Sequence, residues 1–156
     1  MNFDMKLLVY LLVSAFMFLQ IFCSPSGAGS SSAKLRIEFT GLDKDSKGLV
    51  RGALFDSAGT FSDQRYHIEG ALRSGSLPIQ NSGAIWEIED LPHGVYAVRA
   101  FHDEDASGRF KVSRLGIPKY AYGFSNNARA MFGPPSFERC KFRFDRDLTL
   151  KIQLHR

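Results

Sequence analysis

Phe101 to Phe110, F-H-D-E-D-A-S-G-R-F, are the residues whose types and spacing point most directly to chemistry. Asp103, Asp105 and Ser107 place oxygen-bearing side chains at alternate positions, and Gly108 follows them. A hard cation such as calcium takes oxygen ligands from alternate residues of a loop that then turns sharply, and glycine makes that turn cheaply. On a twelve-position calcium loop, Asp103, Asp105 and Ser107 fill the first, third and fifth places, and the carbonyl of Arg109 fills the seventh. Lys111 and Arg114 stand at the ninth and twelfth places, where oxygen donors belong. The same residues also suit a plain turn whose carboxylates bond their own backbone. Calcium is the one cofactor raised by these residues, and both readings stay open at this point.

A second block runs from Tyr120 to Glu138. Tyr120, Tyr122 and Phe124 would form an aromatic platform for a sugar or peptide, with Asn126, Asn127 and Arg129 as the polar contacts that fix its orientation. Alternatively the loop packs its own rings, including Phe132 and Phe137, over the end of the scaffold, the commoner fate of aromatic side chains. No catalytic residue is assigned. His102, Asp103 and Glu104 are consecutive on a strand, so their side chains alternate between faces and do not converge. Cys140 reads as a core thiol, and His67, His93 and His155 share no metal spacing.

The elements that must position these residues are strands. Leu35, Ile37 and Phe39 alternate with polar neighbours, Leu49 to Phe55 follows across a glycine-bounded hairpin loop at Gly41 to Gly48, and Ala84, Trp86 and Ile88 alternate again. Val95 to His102 delivers the acidic loop, after a turn at Asp90 to Gly94. Cys140, Phe142 and Phe144, then Leu148, Leu150, Ile152 and Leu154, give two last strands, joined by a hairpin at Asp145 to Asp147. Asp56 to Asn81 is the least legible region, with room for a short helix or irregular strand. These short strands and turns predict an all-β, antiparallel β-sandwich with long ordered loops.

Lys6 precedes an apolar run from Leu7 to Phe22, shorter than the roughly 20 residues of a spanning helix. Residues 1–23 therefore read as a secretory signal, 24–33 as a flexible Gly/Ser/Pro tether, and 34–156 as one domain. Cys23 is a candidate lipidation site that competes with ordinary cleavage near Ala28 or Ala33. The 19 basic and 15 acidic residues left after the signal and tether are scattered, so no nucleic-acid partner is expected. Only Cys140 remains there, which excludes an intrachain disulfide framework.

Three segments carry a family resemblance: Gly41 to Asp56 with V-R-G-A-L-F-D, D-L-P-H-G-V-Y-A-V-R-A-F-H-D-E-D at Asp90 to Asp105, and Leu115 to Glu138. Together they resemble the domain of unknown function 2141 family. The resemblance implies a small exported bacterial protein with an immunoglobulin-like or prealbumin-like sandwich and no activity to carry over. It also implies an acidic residue where Lys111 stands. The expected location is the periplasm, the outer membrane as a lipoprotein, or the cell exterior. The leading functional reading is a non-enzymatic binding or structural module with an envelope glycan or protein as partner. A carbohydrate-binding or carbohydrate-processing accessory domain is the alternative, and an enzyme of unknown class the third. Membrane contact is expected only through a lipid anchor or an uncleaved signal.

Overall fold

The computed structural model describes residues 31–62, 68, 70–115, 117–131 and 133–156. The signal, Cys23 and the first part of the tether lie outside the described residues, as do Tyr66, His67 and Phe132. The strands are β1 (Ser32–Thr40), β2 (Leu49–Phe55), β3 (Arg73–Pro78), β4 (Ala84–Pro92), β5 (Gly94–Asp103), β6 (Tyr122–Phe124), β7 (Phe142–Phe144) and β8 (Leu148–Gln153). Short helices at Ala58–Ser62 and Phe137–Cys140 and a 3-10 turn at Ser125–Asn127 complete the described elements. The illegible region thus holds both a short helix and a strand. β1 begins inside the expected tether, because Ser32 and Ala33 pair with Pro92 and Leu91.

Two sheets pack face to face as an all-β sandwich. One has the order β4-β1-β8 and the other β3-β2-β5-β6, with β7 also paired to β5. All pairings between these strands are antiparallel except β1 with β8, which run parallel from Leu35↔Leu148 to Thr40↔Gln153. The alternation read from the sequence sets the inner faces. Leu35, Ile37 and Phe39 of β1 meet Val50 and Leu54 of β2 and Val98 and Ala100 of β5 in the central core.

The pairing corrects the hairpins expected at Gly41 to Gly48 and at Asp145 to Asp147, and places the turn at Asp90 to Gly94 between layers. β1 and β2 lie in different sheets, as do β4 and β5, and β7 and β8. The segments at Gly41 to Gly48, at His93 and at Asp145 to Asp147 are therefore crossings between layers. Alternation marks a strand and its buried face, but carries no information on which strand lies beside it. Cys140 also differs from expectation. It ends the helical turn Phe137–Cys140 rather than starting a strand, and β7 begins at Phe142.

β5 is buried along both faces. Tyr96, Val98 and Ala100 enter the central core, while Ala97 belongs to a second cluster on the outer face with Ala53, Phe55, Phe61, Phe124, Phe137 and Cys140. The two short helices supply Phe61, Phe137 and Cys140 as its cover. All described strands and both clusters lie within residues 31–156, so this segment contains the whole described core.

Candidate functional site

The acidic loop leaves β5 at its outer face. In the β2–β5 ladder Leu49 opposes Asp103 and Arg51 opposes Phe101, which sets Arg51 diagonal to Asp103 on one face. Asp103 is fully buried, and Arg51 Nε donates to its Oδ2 at 3.0 Å. The same carboxylate accepts from the Gly108 N–H at 2.7 Å and from the Ser107 N–H and hydroxyl at 3.1 and 3.4 Å. Arg51 reaches on to the Ser76 hydroxyl and the Ala106 carbonyl. One guanidinium thereby links β2, β3, β5 and the loop.

Left-handed backbone at Ala106 and Gly108, with φ of 52° and 73°, curls the loop so that its N–H groups face Asp103. Gly48 closes the opposite side. At φ 91°, a Cβ there would lie 2.2 Å from the Asp103 carbonyl oxygen.

Asp105 and Ser107 do not complete a cation shell. Lys111 donates to Asp105, and this contact, with a lesser contribution from Ser107, holds the Asp105 carboxyl down to about 2. The lysine at the ninth loop place thus acts as the counter-ion of the third. Both Asp103 oxygens face N–H and O–H donors, whereas calcium needs free acceptors directed inward. Arg109 is exposed. Among the described residues no three His, Cys, Asp or Glu side chains are grouped to hold a metal ion. The donor set does not fit calcium.

Of the three consecutive residues at the strand end, Asp103 points away from the other two, while His102 Nδ1 and Glu104 Oε1 lie 3.9 Å apart. His102 Nε2 lies 2.7 Å from the Lys47 carbonyl, Asp103 engages Arg51, and Glu104 accepts from Arg156 at 3.2 Å.

The aromatic block is stitched to both sheets. Ser125, fully buried, accepts from the Val98 N–H at 2.9 Å and donates to the Cys140 carbonyl at 2.6 Å, replacing the next rung of the β5–β6 ladder. Asn126 and Asn127 then take left-handed backbone, φ 60° and 48°, which asparagine tolerates. The Asn126 amide donates to the Lys141 carbonyl at 2.9 Å, in the segment leading to β7. The Asn127 oxygen accepts from the Gln153 N–H at 2.8 Å, in β8 of the other sheet. The two amides therefore serve as a clip between layers. Tyr122 and Phe124 stack edge-on at 6.0 Å, and Tyr120 lies half-buried with the Lys111 ammonium 6.0 Å from its ring centre. Of the six surface candidates, Asn126, Asn127 and Arg129 are exposed, and the Arg129 guanidinium lies 2.8 Å from His155 Nε2.

His155 is held below its ordinary value of 6.5, first by burial and then by the Arg129 charge. Both His155 and Asp105 have folded values below their unfolded ones, so the unfolded chain binds more protons as acid is added. Stability should therefore fall as pH drops below about 6.5 through His155, while Asp105, in an exposed pair with Lys111, should add little as pH falls from about 4 towards 2. Urea midpoints measured across that range, with Arg129→Met flattening the His155 step, check this.

Cys140 has no exposed surface, and burial pushes its thiol up to about 11, with Arg139 and Arg99 acting weakly in the opposite direction. A thiol so placed is a packing group.

A family model described as "Uncharacterized protein conserved in bacteria (DUF2141)" matches residues 37–151. The chain belongs to that family. The matched span runs from the middle of β1 into β8, so this DUF2141 domain includes both sheets, the acidic loop and the Ser125–Asn127 clip. No curated protein and no solved structure matches the chain.

Sequence reasoning missed Arg51, which lies 52 positions from its carboxylate partner. It also missed the outer cluster, where the Arg99 guanidinium lies 4.5 Å from the centre of the Phe55 ring and 5.3 Å from that of Phe61. The signal for the cluster was available. V-Y-A-V-R-A-F-H is nearly continuous in apolar residues, as in a strand covered on both faces.

Proposed function

We propose that this DUF2141 domain is a non-enzymatic binding or structural module of the bacterial cell envelope, exported by its Leu7–Phe22 signal. One observation carries the reading. The side chains able to do chemistry are engaged by the domain itself: Asp103 by Arg51 and loop N–H groups, Asp105 by Lys111, Asn126 and Asn127 by backbone, and the Cys140 thiol by burial. Such groups hold a shape and are not poised for proton or group transfer. The loop is accordingly braced by Arg51 and Lys111 in place of calcium.

A panel of ester, phosphate and glycoside reporters tests this and should give no turnover above buffer. Turnover that disappears with Asp103→Asn would overturn it. The carbohydrate alternative rests on Tyr120 and Arg129, and retention on peptidoglycan or envelope glycan that is lost with Arg129→Ala would favour it instead.

A further inference from the structure

From Ala106 to Phe137 the chain carries five basic residues, Arg109, Lys111, Arg114, Lys119 and Arg129, and no Asp or Glu. The same stretch holds Val112, Leu115, Ile117 and Met131, four of the seven large apolar side chains that are exposed among the described residues. Leu115 and Ile117 are 86% and 60% exposed. Coincidence of a purely cationic segment with exposed aliphatic groups is the composition of a surface that meets both charge and hydrocarbon.

Within this stretch the described residues 111–115 and 117–119 are bonded to one another. Val112 bridges Pro118, and the Lys119 N–H donates to the Lys111 carbonyl at 2.9 Å, which makes a small hairpin. Ser113 sets its tip: its N–H donates to the Ile117 carbonyl at 2.8 Å, and its hydroxyl accepts from the N–H groups of Leu115 and Ile117. The base is pinned by Phe110, whose ring packs against Phe101 at 5.4 Å and Tyr122 at 6.2 Å. Arg156 Nε also donates to the Lys119 carbonyl at 3.2 Å. Lys111 is neutralised by Asp105, which leaves Arg114 and Lys119 as the exposed cations that flank the tip.

We propose that the 111–119 hairpin docks the domain on an anionic lipid surface. Leu115 and Ile117 enter the boundary between headgroups and acyl chains, while Arg114 and Lys119 meet lipid phosphates. Charge complementarity and the aliphatic tip together select lipid. A glycan stacks on aromatic faces, which Leu115 and Ile117 lack, and a soluble polyanion has no use for buried aliphatic groups. This contact is independent of any N-terminal anchor.

The test is co-sedimentation of residues 31–156 with vesicles of phosphatidylglycerol and phosphatidylcholine, or of phosphatidylcholine alone. Removing the N-terminal apolar run takes that run out of the comparison, and the serine variants isolate the hairpin from the other exposed apolar residues. Binding should favour the anionic vesicles and fall at least about tenfold with Leu115→Ser and Ile117→Ser together. Arg114→Glu with Lys119→Glu should abolish the anionic preference. Because these side chains are exposed, both variants should melt like the parent domain. Failure to bind either vesicle, or binding that the serine pair leaves unchanged, overturns the proposal. Capture on soluble polyphosphate, undiminished by the serines, would do so as well, and would assign the cations to a soluble polyanion.

Discussion

Replacing Asp103 with alanine is expected to lower the unfolding free energy by about 3–5 kcal/mol, the cost of leaving one partner of a buried ion pair uncompensated. The largely buried Arg51 guanidinium loses its counter-charge, and the Ser107 and Gly108 N–H groups lose their acceptor. For a domain of this size that is a drop of about 10–20 °C in Tm. Asp105→Ala should leave Tm nearly unchanged, because the Lys111–Asp105 pair is exposed. The contrast decides the nature of the loop. A calcium site would make both aspartates matter and would tie their effect to the ion. An internally braced loop makes Asp103 alone matter, equally with excess calcium and with chelator. Thermal melts of the parent and the two variants under both conditions separate the cases. A Tm of the parent that rises with calcium, and does so only while both aspartates are present, would sink the Arg51 reading.

The second large effect lies in the central core. Trp86, the only tryptophan, projects from β4 onto the opposite sheet and is 8% exposed. It lies against Gly52 of β2 and Gly75 of β3, which are direct partners in the β2–β3 ladder. A Cβ at Gly52 would fall 2.8 Å from Trp86 Cε3, and one at Gly75 would fall 3.0 Å from Cε2. The indole therefore occupies a flat recess made by two missing side chains. Trp86→Ala should cost about 3–5 kcal/mol through lost burial and the cavity left between the sheets. Gly52→Val should cost about 1–3 kcal/mol or more by forcing the ring away, with a red shift of tryptophan emission as it meets water. Together the two changes should cost less than their sum, since the valine fills part of the space the indole vacates. Urea unfolding followed by far-UV circular dichroism measures all three variants. Strict additivity would mean that the ring and the glycine pair are not coupled.

Much of this protein was legible in one dimension because the physics involved is local. Side chains on a strand alternate, so Leu35-Ile37-Phe39 and Ala84-Trp86-Ile88 declare both an extended backbone and a buried face. The D-E-D-A-S-G run declares a turn, because aspartate and serine bond nearby N–H groups and glycine accepts left-handed backbone. The all-β class was carried by those short alternating strands and their turns, and the family by contiguous motifs. Ser125-Asn126-Asn127 was visible as unusual, but its purpose was not, since the amides reach carbonyl and N–H groups on α-helical and strand segments 13 to 26 positions away.

What the tertiary structure alone decided is pairing across distance. Two connections that read as hairpins, and the turn before β5, cross between the sheets, because a strand's own alternation is equally satisfied by any neighbour that buries the same face. The final strand runs parallel to the first, a neighbour no local pattern specifies. The meaning of Asp103 changed for the same reason. As a sequence position it is a carboxylate in a cation-like spacing. In the fold, the β2–β5 register brings Arg51 to it before any ion is needed. Local sequence determined which residues could bend, extend or be buried, and long-range register determined whose charge each one would meet.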